Sequence, residues 1–385
     1  MSDKDTGARG GADAGASGKL GRTVLDDLNQ IDFRRTMRED LQDVYQFYLD
    51  EGKRSELAEM DQFSRWIHMT GWLMKNSILR LSPLRRLLLL AGMLLFVHGI
   101  FGNGLSLILG FLLLLLTLML ELKDKLLAQD ELMTGRAVQF ALMPRSHPSL
   151  PGWETWLFTR PANEVGGDLV DYLWMEEDRL GLALGDVAGK GLGAALFMAK
   201  LQSTLRAIAA NYTVLADLGR AINRIFIRDG LPDRFISLVY LTLTPDAGRV
   251  RLFNAGHPPP LVVRKGRVEE LPRGGPALGL MREAVFTDQE VDLHPDDLLI
   301  IYSDGVTEAR DEQGDFFEEK RLLALAATLR GLSAEDAGRR LLEAVEGFTC
   351  NARPHDDLSL IVVRRLALPV RRLGASSPAP AADVV

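Results

Sequence analysis

Two aspartates, each preceded by glycine, flank an apolar stretch in the middle of the chain. Asp168 ends the segment EVGGD, and Asp186 lies in the segment GDVAGKG. Between them, two runs rich in β-branched, aromatic and aliphatic residues are separated by the charged sequence EEDR, a pattern that predicts a β-hairpin. The two ends of an antiparallel hairpin lie side by side, so we expect both carboxylates at one edge of a sheet.

Two further acidic clusters lie at the ends of apolar runs downstream. Asp304 follows the run DLLIIYS, and Asp356 and Asp357 precede the run LSLIVV. Carboxylate oxygens beside bare backbone carbonyls suit Mg²⁺ or Mn²⁺ better than zinc. Four carboxylate positions on strand ends therefore predict a dinuclear site. Such a site lowers the pKa of a bound water to about 7 and holds a phosphoryl group for in-line attack.

Five segments carry a resemblance to a known family. EVGGD, GDVAGKG, NAGHPPP, SDGVTEA and DDLSL occur in this order between residues 139 and 365. Together they resemble the signature of SpoIIE-type serine phosphatases, which belong to the metal-dependent (type 2C) protein phosphatase superfamily. The resemblance implies an α+β fold, an α/β/β/α sandwich over residues 145–368. It also implies removal of phosphate from phosphoserine or phosphothreonine on a partner protein.

The resemblance also assigns roles to individual residues. It implies two Mn²⁺ or Mg²⁺ ions and the following metal ligands: Asp168, Asp186, Val187, Asp304, Asp356 and Asp357. Asp186 would bridge the ions, the Val187 carbonyl and Asp168 would serve the second ion, and Asp304 would hold the first together with Asp356. Asp186 and Asp304 are the expected catalytic residues. Asp357 is expected either to support the metal ligands without contacting the ions or to be an extra ligand.

The sequence departs from the better-known eukaryotic relatives at two points. Val187 and Ala188 follow Asp186 where those relatives have a histidine, and an arginine that grips phosphate is not evident. The general acid and the residue that binds the substrate phosphate are therefore unassigned. His257 in NAGHPPP either contributes to them or has a structural role in its proline-rich turn. In this branch of the family the two helices after the bridging aspartate act as a switch, which we expect at residues 191–211 and 213–229.

Composition and motif chemistry exclude several other classes. The net charge of −7 favours no nucleic-acid partner. A single cysteine, Cys350, excludes an internal disulfide and is expected to be a small apolar filler. A nucleotide-binding loop would need Ser or Thr after Lys190, where Gly191 stands. Lys190 is expected at a helix start or on the surface, with a contact to substrate phosphate as the alternative.

Residues 87–120 contain no formally charged side chain and predict a membrane anchor. Because residues 102–104 form a Gly-Asn-Gly turn signal, we expect two short spanning helices, 87–101 and 105–120, joined as a hairpin. One span followed by a re-entrant piece is the alternative. Basic residues flank the stretch on both sides and predict that both flanks are cytoplasmic in the inner membrane. They are Arg85, Arg86, Lys123 and Lys125.

The remaining segments complete the predicted organisation. Residues 1–22 and 369–385 are expected to be disordered tails, and residues 23–81 a helical region. Residues 121–143 predict a linker helix, which either forms a two-stranded coiled coil in a homodimer or packs on its own phosphatase domain. Its apolar seam would consist of Leu122, Leu126, Met133, Ala137 and Phe140, with the polar residue Gln129 also in the seam. The first helix after Asp186 is expected to bury Leu192, Ala195, Leu196 and Ala199.

The combined interpretation is a membrane-anchored protein phosphatase. By resemblance, its substrate would be a phosphorylated regulatory protein, in particular an anti-sigma-factor antagonist. Two other classes remain open at this stage. One is an inactive phosphatase-like scaffold, and the other is a two-metal nucleotidyl cyclase, which also uses paired aspartates.

Overall fold

The computed structural model describes residues 62–102, 104–176, 178–230, 234–245 and 248–367. The predicted tails at 1–22 and 369–385, and residues 23–61 of the predicted helical region, lie outside these residues. The chain divides into two compact units, one extending to Asp124 and the other beginning at Lys125.

The described part of the first unit is helical. Helix α1 spans Gln62–Arg80, α2 spans Pro83–Ile100, and α3 spans Gly104–Leu142 and continues into the second unit. The sequence suggested separate elements at 105–120 and 121–143, but the structure makes them one helix of 39 residues. The charged residues that follow position 120 are good helix formers and no proline occurs before Pro144, so nothing interrupts the helix.

Glycines bring α2 and the start of α3 into close contact. A Cβ atom at Gly99 would collide with the backbone of Leu107, and one at Gly110 would collide with the backbone of Phe96. At the other end of the pair, Arg85 donates hydrogen bonds to Glu121 at 2.8 Å and to Asp124 at 2.5 Å. The two segments therefore form a helical hairpin.

The surface of this hairpin is strongly apolar. The most apolar 18-residue windows of α2 and α3 have mean hydropathies of 1.5 and 2.5, and only 11% of each window is buried within the protein. An apolar helix in a soluble core would be mostly buried. By length and composition both helices are candidates for crossing a membrane.

The second unit contains two five-stranded sheets in which every paired strand is antiparallel. In chain order the strands are β1 Trp153–Arg160, β2 Leu169–Trp174, β3 Leu180–Val187, β4 Ile236–Leu243, β5 Arg249–Ala255, β6 Leu261–Arg264, β7 Arg267–Glu270, β8 Gln289–Asp292, β9 Leu298–Tyr302 and β10 Leu358–Arg365. The first sheet has the order β1-β10-β9-β6-β7, and the second has the order β2-β3-β4-β5-β8.

Helices cover the outer face of each sheet. They are α4 Leu192–Ile208, a 3₁₀ turn Ala209–Asn211, α5 Leu215–Asp229, α6 Asp304–Thr307, α7 Glu318–Ala326 and α8 Ala334–Thr349. Leu182 and Val239 from one sheet share a core with Ile301 and Ile361 from the other, so the sheets pack face to face. Separate cores join α4 and α5 to the second sheet and α7 and α8 to the first. This is the predicted α/β/β/α sandwich.

The buried face of α4 differs from the prediction. Ala195 is buried as expected, but Leu192 and Leu196 are exposed. The core side of the helix consists of Ala194, Ala195, Met198, Leu201, Gln202 and Leu205. The first two turns are apolar on every side, so the spacing of apolar residues alone does not indicate which face is buried. Packing against the second sheet determines the buried face. Cys350, expected as a core filler, is exposed at the end of α8.

Candidate functional site

The β2–β3 hairpin places the first two aspartates together. Leu169 pairs with Gly185, so Asp168, which precedes β2, lies opposite Asp186 near the end of β3. Asp186 in turn pairs with Ser237 of β4. The predicted hairpin is thus present, and its register brings the two carboxylates to one edge of the second sheet.

The first sheet contributes the other carboxylates. Asp304 is the first residue of α6, immediately beyond the end of β9, and Asp356 precedes the start of β10. Strands β9 and β10 are antiparallel neighbours with Leu360 opposite Tyr302, so the end of one meets the start of the other. Electrostatic interactions link Asp186 to Asp304, Asp356 and Asp357. The edges of the two sheets therefore converge on one acidic centre.

Three glycines are needed because atoms of this centre approach the backbone closely. A Cβ atom at Gly166 would collide with the carboxylate of Asp357, and one at Gly305 would collide with the Asp357 carbonyl. A Cβ atom at Gly167 would lie 3.1 Å from the carbonyl oxygen of Val187. The close packing around the acidic residues thus explains why the EVGGD and SDG segments contain glycine at these positions.

Asp357 organises the loop that carries Asp168. Its Oδ1 accepts a hydrogen bond from the backbone N–H of Ala162 at 2.7 Å. Its Oδ2 accepts one from Gly167 at 2.6 Å and one from Asp168 at 3.2 Å. Three backbone donors already use both oxygens, so we interpret Asp357 as a positioning residue. Direct metal coordination by Asp357 stays a prediction.

Burial and mutual repulsion raise the pKa values of the acidic residues. Burial, followed by the charges of Asp186 and Asp357, holds the pKa of Asp168 well above its ordinary value. Burial and the neighbouring Asp304 raise the pKa of Asp186 to about 7. Burial and Asp356 raise the pKa of Asp304 to about 6. Burial also raises the pKa of Asp357, although its three backbone hydrogen bonds oppose this change.

These residues fit hard divalent cations. The Oδ2 atom of Asp168 is buried and has no hydrogen-bond partner, which is costly unless a cation or another polar group reaches it. Cations would also relieve the repulsion between the carboxylates. Among the residues that the structure describes, no three acidic, histidine or cysteine side chains are already closed around one point, so binding would draw the carboxylates inward.

Lys190 connects the two sides of the site. Its Nζ donates a hydrogen bond to the carbonyl of His355 at 2.6 Å and lies 3.0 Å from the carboxylate of Asp356. The residue stands in the loop before α4, as expected. Its contacts tie that loop to the start of β10, while a contact to substrate phosphate stays a prediction.

His257 has the surroundings of a structural residue. It is buried, its Nδ1 lies 2.7 Å from the hydroxyl of Ser237, and Asn254 hydrogen-bonds to both its backbone N–H and its carbonyl. Burial lowers the pKa of His257 to about 3, against a smaller opposing effect of the Tyr302 backbone. The ring is therefore neutral near pH 7 and holds no proton to donate as an imidazolium, which favours the structural interpretation.

The sequence analysis missed Arg234 and two serines. Arg234 donates a hydrogen bond to the carbonyl of Ala188 at 2.6 Å and occupies the space that a Cβ atom at Gly189 would fill. Ser303 and Ser359 are fully buried and hydrogen-bond to each other behind Asp168. The serines are part of the segments SDGVTEA and DDLSL, which was the available signal, whereas nothing in the sequence marked Arg234.

Gln139, near the end of α3, was also missed. It is buried, and its amide donates a hydrogen bond to the carbonyl of Gly166 at 2.7 Å and accepts one from the Gly166 N–H at 3.0 Å. Nearby, Arg136 pairs with Glu164 at 2.7 Å, and Gln202 on α4 donates to the carbonyl of Leu142 at 2.8 Å. The end of α3 is thus fastened to the loop before Asp168 and to the first helix of the predicted switch.

The predicted apolar seam of the linker stays largely exposed beside these contacts, although Arg136 also lies 5.4 Å from the centre of the Phe140 ring. Leu126, Met133 and Phe140 on α3 are each about half exposed. Gln139, on a different face of the same helix, makes the contacts to the phosphatase fold. The two alternatives for this helix therefore do not exclude each other, because one face is docked and the apolar seam remains uncovered.

Comparisons with known proteins find similar sequences over much of the second unit. Residues 176–366 match the family model described as stage II sporulation protein E (SpoIIE). Protein IcfG of Synechocystis is 29% identical over 268 residues, and phosphoserine phosphatase RsbU of Bacillus subtilis is 24% identical over 239 residues. The matches cover 61% and 62% of this chain, but 41% of IcfG and 70% of RsbU.

Solved structures show the same architecture. The RsbU and RsbW domains of Rv1364c from Mycobacterium tuberculosis align with a TM-score of 0.51 and 26% identity, over 59% of this chain and 64% of that one. The SiaA-PP2C domain of Pseudomonas aeruginosa aligns with a TM-score of 0.53 and 17% identity, over 63% of this chain and 99% of that one. The second likeness concerns the fold alone. The chain therefore carries a phosphatase domain that belongs to the SpoIIE family of type 2C serine phosphatases.

Proposed function

We propose that this chain is a metal-dependent protein phosphatase that hydrolyses phosphoserine or phosphothreonine on a regulatory protein. The observation that carries the proposal is the convergence of Asp168 and Asp186 from one sheet with Asp304 and Asp356 from the other. The similarity to a phosphoserine phosphatase, RsbU, supports the same reaction class.

The chemistry follows from the ligand set. Asp168, Asp186, the Val187 carbonyl, Asp304 and Asp356 would hold two Mn²⁺ or Mg²⁺ ions. When bound, the ions supply an acidified water and neutralise the charge of the phosphoryl group. Asp186 interacts with carboxylates from both sheets, which suits it to bridge the two ions. A single displacement by water needs no covalent bond to the protein.

The proposal is tested with the full-length protein in detergent and p-nitrophenyl phosphate as substrate. We expect hydrolysis that depends on Mn²⁺ or Mg²⁺. Asp304→Asn should lower kcat/KM at least about 100-fold, because a ligand is expected to matter more than an outer-shell residue. Asp315→Asn, an exposed aspartate outside the centre, serves as the matched control. Hydrolysis without divalent ions, or a fully active Asp304→Asn variant, would contradict the proposal.

The same preparation separates the rival functions. An inactive scaffold would bind its partner but show no ion-dependent turnover, although the complete carboxylate set argues against it. A two-metal nucleotidyl cyclase would release cyclic nucleotide from ATP or GTP. The family membership of residues 176–366 favours the phosphatase.

We further propose that the α2–α3 hairpin anchors the protein in the inner membrane with the phosphatase domain in the cytoplasm. The uncovered apolar surfaces of both helices support this placement. Arg85 contacts Glu121 and Asp124, so both flanks of the hairpin lie at the same end. Basic residues in those flanks favour the cytoplasmic side.

The proposed substrate is a phosphorylated anti-sigma-factor antagonist, which rests on the similarity to RsbU. We also propose a homodimer through the linker part of α3, because the seam residues Leu126, Met133 and Phe140 are exposed and lie near heptad spacing. Phosphoproteomics of a strain that lacks this protein would identify the substrate as the phosphosite that accumulates.

A further inference from the structure

A small pocket opens beside the acidic centre. Its wall includes Gly305 and Asp356 from the centre itself, together with Arg160 at the end of β1, Arg310 after α6 and Arg353 before β10. The pocket holds about 40 Å³, a few times the space that one water needs. It can therefore accept a side-chain carboxylate with some water, but not a large ligand.

The charges that line this arginine pocket are predominantly positive. Three arginines face one carboxylate, Asp356, which is an expected metal ligand. Arg160 also pairs with Glu346 at 2.6 Å, outside the lining. Such a pocket favours a bound anion.

Arg310 is the best-positioned of the three arginines. Its guanidinium carbon lies 4.7 Å from the centre of the Phe316 ring, a cation–π contact that restrains the side chain. Its Nε is buried and has no hydrogen-bond partner. A buried guanidinium N–H without an acceptor is costly, and arginine binds carboxylates through paired N–H groups. Because Arg310 lines the pocket, an anion bound there would lie beside this restrained guanidinium.

We infer that the arginine pocket binds the carboxylate of an aspartate or glutamate one or two positions from the phosphoserine of the substrate protein. The inference rests on the proposed phosphatase function. The phosphoryl group itself belongs with the ions at the acidic centre, so a second anion in the adjoining pocket must come from elsewhere on the substrate. Successive Cα atoms are about 3.8 Å apart, and the pocket shares Gly305 and Asp356 with the centre.

Free inorganic phosphate has the same charge and could occupy the pocket instead. The two sources differ in their consequences. A substrate carboxylate makes the enzyme select among phosphopeptides, whereas free phosphate would inhibit every substrate alike. The experiment therefore compares peptides and includes an inhibition series with inorganic phosphate.

The test uses the full-length protein in detergent with Mn²⁺ and two phosphoserine peptides, one with Asp and one with Asn at every position within two residues of the phosphoserine. The measured quantity is the ratio of kcat/KM for the two peptides, because this ratio does not depend on the fraction of active protein. For the wild type we expect the Asp peptide to be favoured about five- to tenfold, in the range of close charge pairs. Arg310→Gln should bring the ratio close to one, and Arg310→Glu should favour the Asn peptide over the Asp peptide.

The control is Arg330→Gln, an exposed arginine on the turn after α7 and outside the pocket, which should keep the wild-type ratio. A wild-type ratio near one, or an unchanged ratio in Arg310→Gln, would overturn the inference. Phosphate inhibition that weakens in Arg310→Gln without a change in the peptide ratio would assign the pocket to free phosphate and also overturn it.

Failure of the proposed function is recognised separately. In that case p-nitrophenyl phosphate, which has no flanking residue, is not hydrolysed by the wild type. The ratio of dissociation constants for the two peptides, measured by fluorescence anisotropy, then tests the arginine pocket without turnover. Equal dissociation constants for the wild type would reject the pocket's role.

Discussion

In the ion-free protein, the carboxylates of Asp186 and Asp304 are largely buried beside other carboxylates, which opposes their ionisation. Burial is the largest cause of the raised pKa of each residue, and the neighbouring carboxylates add to it. The chain keeps these costly groups together because packing around them holds the surrounding loops. Ion affinity should therefore rise with pH through the interval near 6 to 7, in which these carboxylates lose their protons.

In the ion-free protein, the same groups should make stability fall as pH rises. Asp186 has a pKa of about 7 and Asp304 one of about 6 in the folded state, against an ordinary value of 3.8. Between about pH 4 and pH 7 the folded state therefore binds more protons than the unfolded state, so raising the pH favours unfolding. We expect the Tm of the phosphatase domain in chelator to decrease over this interval.

Asp304→Asn isolates one of these contributions. In chelator at pH 7.5 the variant should melt about 2–4 °C above the wild type, whereas the two should be alike near pH 4. Mn²⁺ should raise the Tm of the wild type more than that of the variant. Differential scanning fluorimetry with and without Mn²⁺ measures both effects. A variant less stable than the wild type in chelator at pH 7.5 would contradict this account of the acidic centre.

At the scale of elements, the end of α3 is fastened to the loop that carries Asp168 (residues 161–168), called the ligand loop here because Asp168 is an expected metal ligand. Gln139 satisfies both backbone groups of Gly166, two residues before Asp168, and Gln202 of α4 binds the last turn of the same helix. A shift or rotation of this helix end would move the ligand loop and the first switch helix together. The coupling of linker to catalysis is our hypothesis for regulation in this protein.

Gln139→Ala tests the importance of this contact. It leaves the N–H and carbonyl of Gly166 without their partners in a buried position, which should cost about 1–3 kcal/mol of stability. The loosened loop should weaken Mn²⁺ binding about 10-fold, as for other groups that support metal ligands. A Mn²⁺ titration of p-nitrophenyl phosphate hydrolysis measures the shift.

The matched control is Glu131→Ala, because Glu131 is an exposed polar residue on the same helix and outside the predicted seam. Saturating Mn²⁺ should restore most of the activity of Gln139→Ala if the contact only positions the loop. An identical Mn²⁺ dependence for both variants would show that the helix end does not influence the centre.

At the scale of the whole molecule, the proposed membrane attachment would decide where the phosphatase domain meets its substrate. The helices α2 and α3 present apolar side chains outward, including Leu94 and Leu105, each about two-thirds exposed or more. Exposed apolar surface on this scale is unfavourable in water and favourable in a bilayer.

We expect the full-length protein to remain in the membrane fraction after extraction at alkaline pH and after high-salt washing, because burial of apolar helices depends on neither charge nor ionic strength. Detergent should release it. Fractionation followed by immunodetection measures this. Release by salt or alkali alone would show that the hairpin packs against protein and does not span the membrane.

Much of the catalytic arrangement could be predicted from local patterns. The β2–β3 hairpin follows from two apolar runs on either side of a charged turn. Its antiparallel pairing places Asp168 opposite Asp186, and this pairing requires no contact with more distant segments. The apolar character of residues 87–120 is equally local, since length and composition define it. In both cases the controlling interactions lie within a few dozen residues, so their signal is present in the sequence.

The tertiary structure alone decided the contacts between distant segments. The core side of α4 depended on the sheet beneath it, because both candidate faces were apolar. The hydrogen bonds of Asp357 to Ala162 and Gly167, and those of Gln139 to Gly166, join loops whose separation along the chain carries no periodic signal. The arginine pocket likewise gathers side chains from three separate segments. Such arrangements come from how the two sheets pack, which no local propensity determines.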